Sequence, residues 1–76
     1  MQKVSSGLRL LRESLDVSRE DIAKQTGITI GTIRNAELGR RVTRRSAVQI
    51  LQVVNSLLKE KTRPEVTLDH LELKIV

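Results

Sequence analysis

Four arginines stand within six positions at Arg40-Arg41-Val42-Thr43-Arg44-Arg45, with no carboxylate among them. Guanidinium groups at this density attract anions, and their planar forks match phosphate oxygens two bonds at a time. Their positions matter as much as their number. Val42-Thr43 followed by Ala47 is a helix start: an apolar residue, a hydroxyl N-cap, and a second apolar residue that packs back on the first. Arg44 and Arg45 then occupy the first turn, where the helix dipole disfavours a cation by roughly 0.3–1 kcal/mol each. Arg19 follows Ser18 in the same way. A bound phosphate accounts for cations placed there, because helix N-terminal N–H groups and arginines both hold phosphate oxygens. The alternative is a surface run neutralised by nearby acids, which Glu20 and Asp21 offer Arg19 directly.

The same start signal recurs at Val17-Ser18 with Ile22, at Ile28-Thr29 with Ile33, and at Val66-Thr67 with Leu71. Gly27 and Gly39 follow the helices begun at Ser18 and Thr29, where a left-handed residue is wanted. Eleven residues separate those two caps. That leaves room for a helix of about two turns and a turn of three or four residues, the spacing of a helix-turn-helix. With Thr29 as N-cap, Ile33, Ala36 and Glu37 point at the domain. Ile30, Gly31, Arg34, Asn35 and Leu38 point away. This is a poor solvated face, since Ile30 is apolar and Gly31 costs about 1 kcal/mol of helix propensity. It suits the groove of a duplex: Asn pairs bidentately with adenine, Arg with guanine or a phosphate, and an aliphatic group packs on a thymine methyl. Gly31 would let the backbone come close. The plainer reading has Ile30 packed under a loop and Asn35 merely solvated.

The elements that must position these residues are short helices. Leu8, Leu11 and Leu15 predict a first helix over about residues 4–14, ended by Asp16. Helices over about 19–26 and 30–38 follow. Ala47, Ile50, Leu51, Val54, Leu57 and Leu58 keep one apolar stripe, so a fourth helix runs over about 44–60. Residues 61–66 have no stripe and contain Pro64, which reads as a spacer. A short fifth helix is expected at about 68–73. Leu71-Glu72-Leu73-Lys74-Ile75 also alternates at period two, as an edge strand would, so the last residues could be extended. The expectation is one all-α domain over residues 1–76, a compact five-helix bundle with its core at 4–60.

Composition narrows the function classes. The chain of 76 residues has no cysteine, so disulfides and thiolate metal sites are excluded. His70 is the lone histidine, and a solvated or capping role suits it better than a zinc site. No nucleophile elbow or P-loop is present, so an enzyme, a cofactor or a small-molecule ligand has no support. No apolar run approaches the roughly 18–20 residues of a membrane span, and cytoplasmic placement is the simplest. There is no Phe, Tyr or Trp on which single-stranded bases could stack, which favours duplex DNA. The net charge is +5. Residues 1–45 hold ten Lys/Arg against five Asp/Glu, and residues 46–76 hold four of each, so the excess lies in the half with the two-helix motif.

The segment Leu8-Arg-Leu-Leu-Arg12, Val17-Ser-Arg-Glu-Asp-Ile-Ala23 and Gly27-Ile-Thr-Ile-Gly-Thr-Ile-Arg-Asn-Ala-Glu-Leu-Gly39 resembles the lambda-repressor-like helix-turn-helix family, which includes phage repressors, Cro and xenobiotic-response-element types. Residues 8–58 carry the likeness, and Val66-Thr-Leu-Asp-His-Leu71 looks like the family's fifth-helix segment. The resemblance implies that the helix at 30–38 enters the major groove. It implies base contacts from Ile30, Gly31, Arg34 and Asn35, with Thr32 as a further candidate. Phosphate contacts would come from Arg19, Arg40, Arg41 and Arg44, and Arg12 would pair with Glu37. Arg19 stands where the family often has Gln, and Val42-Thr43 where it often has Pro. The function implied is transcriptional regulation, as a repressor, by a homodimer on double-stranded DNA. The fourth and fifth helices and Leu73–Val76 are the candidate dimer surface. A module of this fold acting mainly on a protein partner, such as an antitoxin or a transcription bridging factor, is the other reading.

Overall fold

Helix starts and stops lie where local chemistry puts them. In a computed structural model of the protein, which describes residues 7–76, α1 spans Gly7–Ser14, α2 Arg19–Thr26, α3 Ile30–Glu37, α4 Arg44–Glu60 and α5 Leu68–Leu71. Residues 4–6, expected at the start of the first helix and in the core, lie outside the described residues. Ser18 caps α2 in a capping box with Asp21, and the Thr29 and Thr43 hydroxyls accept from the Thr32 and Ser46 amides. Gly27 and Gly39 both take left-handed backbone, with φ of 77° and 80°. At α3 the stop is a full Schellman turn: the Arg40 N–H returns to the Asn35 carbonyl and the Gly39 N–H to the Ala36 carbonyl.

The core is aliphatic throughout. Leu8, Leu11 and Leu15 from the first segment meet Ile22, Ile33, Ala36, Ala47, Ile50, Val54, Leu57, Leu58 and Leu71. Helix α2 packs on α3 and α4, while α1 lies against α3 and α5. At Gly7 the approach of α1 to α5 is so close that a Cβ would stand 2.1 Å from the His70 carbonyl oxygen. The protein remains all-α with five helices among the described residues, as the apolar spacing predicts.

The C-terminal stretch departs from expectation. The fifth helix stops at Leu71 rather than about 73, because Glu72 turns left-handed at φ 56°. Thr67 has cap-like backbone but makes no side-chain cap bond. The chain then runs extended: β2, Lys74–Ile75, pairs in parallel with β1, Arg41–Val42, in the register Arg41 to Lys74 and Val42 to Ile75. The Val76 N–H extends the ladder to the Val42 carbonyl at 3.0 Å. Leu73 and Ile75 are therefore half-buried against their own core. Val76 stays 68% exposed. The spacer is also held: Asn55, midway along α4, grips the Val66 backbone with both ends of its amide, accepting from N–H at 2.8 Å and donating to C=O at 3.1 Å.

Among the described residues one charged group sits inside. Glu37 is 2% exposed, and three helices meet at its carboxylate. Arg12 of α1 donates to it through Nε and Nη2 and also reaches the Val17 carbonyl, at 3.0 Å. Arg19 of α2 donates through Nε at 2.8 Å. Removing one partner of a buried ion pair strands the other, whereas a partly solvated pair is worth little. The Arg12 side chain is 12% exposed and that of Arg19 is 33%. Glu37→Ala is therefore expected to cost ~3–5 kcal/mol and Arg19→Ala at most about 1 kcal/mol. Urea unfolding followed by far-ultraviolet circular dichroism checks both, and equal losses would contradict the asymmetry.

Candidate nucleic-acid interface

The Thr29 cap sets where α3 begins. Ile33, Ala36 and Glu37 are buried on its inner side. On the outer side Ile30 is 40% exposed, Gly31 and Arg34 are exposed, and Asn35 is half-buried. Thr32, at the flank, is half-buried and its hydroxyl lies 3.0 Å from that of Thr29. Leu38 continues the outer surface past the helix end, 53% exposed. Gly31 has negative φ, and a Cβ built on it would meet nothing within 4 Å. Neither backbone conformation nor internal packing calls for glycine there. The helix bears its propensity cost without any benefit inside the monomer.

The arginines that the sequence singles out divide into two groups. Arg12 and Arg19 turn toward Glu37. Arg34, Arg40, Arg41, Arg44 and Arg45 are all exposed, and among the described residues none pairs with a carboxylate. Arg19 thus has a partner that its spacing from Glu20 and Asp21 did not reveal. Its bonded atom is Nε, and among the described residues the terminal amino groups of its fork have no partner. The run from Arg40 to Arg45 is anchored at both ends, by the Schellman turn of α3 and by the Thr43 cap of α4, and in the middle by Val42, which is buried. The exposed guanidinium groups are therefore carried on a fixed backbone.

One contact joins the two predicted sets of residues. Arg40 Nη1 donates to Asn35 Oδ1 at 3.2 Å. The Schellman turn brings this about, since it folds the residue after the left-handed glycine back over the residue four positions before it. An apolar pair usually fills those places. Here the pair is polar, and it engages the amide oxygen of Asn35 rather than its NH2. Gly39 was the available sequence signal, because a C′ glycine implies this juxtaposition. Lys74 is a second cation that sequence spacing did not associate with the surface: the β1–β2 register sets it beside Arg41. Its neighbour was not legible, since pairing across 33 positions leaves no local trace.

The remaining features bear on other classes. His70 is exposed at the end of α5, away from any cluster of ligating side chains among the described residues. No helix of the described residues is long and apolar enough to cross a membrane.

Comparison with protein families matches residues 6–54 to one described as a helix-turn-helix domain. No curated protein and no solved structure gave a match. The matched stretch holds α1, α2 and α3 whole and most of α4, so it spans the capped two-helix unit, the buried Glu37 and the arginine run. The chain belongs to the helix-turn-helix domain family, in its lambda-repressor-like form, a class of DNA-binding domains.

Proposed function

We propose that the protein binds double-stranded DNA in a sequence-specific manner and represses transcription, with α3 lying in the major groove. The observation that carries this reading is the outer face of α3: an exposed isoleucine, a glycine the fold does not require, an unpaired arginine and an asparagine held by a hydrogen bond. Ile30, Gly31, Thr32, Arg34 and Asn35 read base edges. Gly31 lets the backbone approach, the Asn35 amide addresses an adenine, and Arg34 addresses a guanine or a phosphate. Arg40, Arg41 and Arg44 hold the sugar-phosphate rails, and Arg19 adds its terminal amino groups from the start of α2. The role is binding rather than catalysis, and it places the protein with the chromosome in the cytoplasm. A homodimer would set two copies of α3 one DNA turn, about 34 Å, apart on a two-part site. Single modules of this size discriminate weakly, which favours the dimer.

Selection of bound duplexes from a random pool tests the reading as a whole, and a pool that emerges without an enriched sequence would refute it. On the selected duplex, ~8 phosphates neutralised by a dimer give a log–log dependence of affinity on salt with slope about −7. A slope near zero in a salt titration would instead point to a protein partner.

Asn35→Ala should cost ~1–3 kcal/mol on the selected site and relax preference at one base position. Arg40→Ala should weaken binding to every duplex and, because Arg40 holds the Asn35 amide, also lose part of the preference at that same position. Competition binding with single-base variants of the site measures both effects, and an Arg40→Ala protein with undiminished preference would show that the bond does not orient the amide.

Sedimentation velocity of the protein with a duplex carrying both half-sites should give two chains per duplex, and a persistent one-to-one complex would exclude the dimer.

A further inference from the structure

Strand β2 brings a cation to a place where the fold has no use for one. In a parallel ladder, directly paired residues project to the same face, and neighbouring residues of one strand to opposite faces. The inward pair here is Val42, buried, with Ile75, half-buried against the core. The outward pair is Arg41 with Lys74, both exposed. Strands in a sheet lie about 4.8 Å apart, so a guanidinium and an ammonium share one small area of surface. Like charges directly across a ladder are destabilising. Among the described residues neither cation pairs with a carboxylate, and Glu72, two residues before Lys74, makes no ion pair with either. A glutamate or threonine at position 74 would serve the ladder better.

We propose that Lys74 and Arg41 together form a phosphate clamp of the DNA-binding surface, so that docking of the C-terminal strand completes that surface. The inference rests on the duplex-binding reading above and extends it to a residue outside the helix-turn-helix. One backbone oxygen pair of the duplex answers two cations whose repulsion it relieves. The same geometry explains the placement of the strand. Arg41 lies in the segment between α3 and α4, and β2 pairs with that segment alone. Holding β1 flat fixes the outward direction of Arg41 as well as supplying Lys74. DNA and the ladder stabilise one another, since a phosphate bound across the pair favours the docked strand.

The test uses the full chain and separates binding from folding by sign. Lys74→Glu places opposite charges across the ladder, so its melting temperature without DNA should equal or exceed that of the wild type. Its affinity for a dye-labelled duplex should nevertheless fall by roughly tenfold near 0.1 M salt, whatever the duplex sequence. Lys74→Ala should lower the magnitude of the salt slope by less than about 0.9 per chain, because Arg41 stays on the shared phosphate. Lys59→Ala removes the same charge at the far end of α4, a helix about 25 Å long, and should leave the slope unchanged. Arg41→Ala combined with Lys74→Ala should weaken binding by less than the product of the single effects, because both residues serve one phosphate. Lys74→Ala binding no worse than Lys59→Ala, or Lys74→Glu losing melting temperature in step with affinity, overturns the clamp while the duplex-binding reading stands. Absence of duplex binding by the wild type overturns both.

Discussion

The arrangement of the three N-terminal helices depends on a single buried carboxylate. Glu37 takes bonds on both oxygens, from Arg12 on one side and from Arg12 and Arg19 on the other. An ionised group in an aliphatic core is tolerable only if its oxygens are met by charged donors in good geometry. Two of the three helices supply those donors and the third supplies the acid. Turning α3 by one residue, about 100°, would leave the carboxylate facing leucines and isoleucines. The pair adds little net stability compared with a well-packed apolar triple, but it penalises wrong orientations heavily. What it fixes is which face of α3 looks outward, and that face carries the proposed reading residues.

The same side chain type serves opposite ends in this chain. Arg12 and Arg19 neutralise an interior charge. The arginines at 34, 40, 41, 44 and 45 have no acid to answer them among the described residues. The net charge of +5 is therefore not spread evenly as a solubility feature. It is concentrated on the outer side of α3 and on the short connection after it. The backbone of that connection is tied down at Gly39, Val42 and Thr43. Ordered cations lose less entropy on meeting an anion than cations on a loose loop.

Most of the fold was legible because its signals are local. A hydroxyl before a helix, an apolar residue on each side of it, and a glycine after the helix act within one turn of chain, and they placed α2, α3 and α4 to within a residue. The inner and outer sides of α3 followed from the cap at Thr29 alone. Three things were not legible, and each depends on residues far apart in sequence. Asn55 of α4 clamps the spacer at Val66, eleven positions on, and nothing beside it in the sequence signals that bond. Arg19 reads as a phosphate ligand or as a companion of Glu20 and Asp21, and its turn to Glu37, 18 positions away, has no local sign. Alternation at 71–75 hinted at a strand, but its partner could not be known: a two-residue strand has no core of its own and forms only against what the rest of the fold presents.

The pairing of Arg41 with Lys74 has a consequence for the order of assembly. The two residues are 33 positions apart, while the helix-turn-helix contacts link neighbours in sequence. Closing so long a loop is entropically slow, and two ladder residues repay it only after α4 and α5 have already brought the strands together. On this ground the helices are expected to form before the ladder. A nascent or truncated chain that stops short of residue 74 would hold a finished α3 beside an unfinished edge.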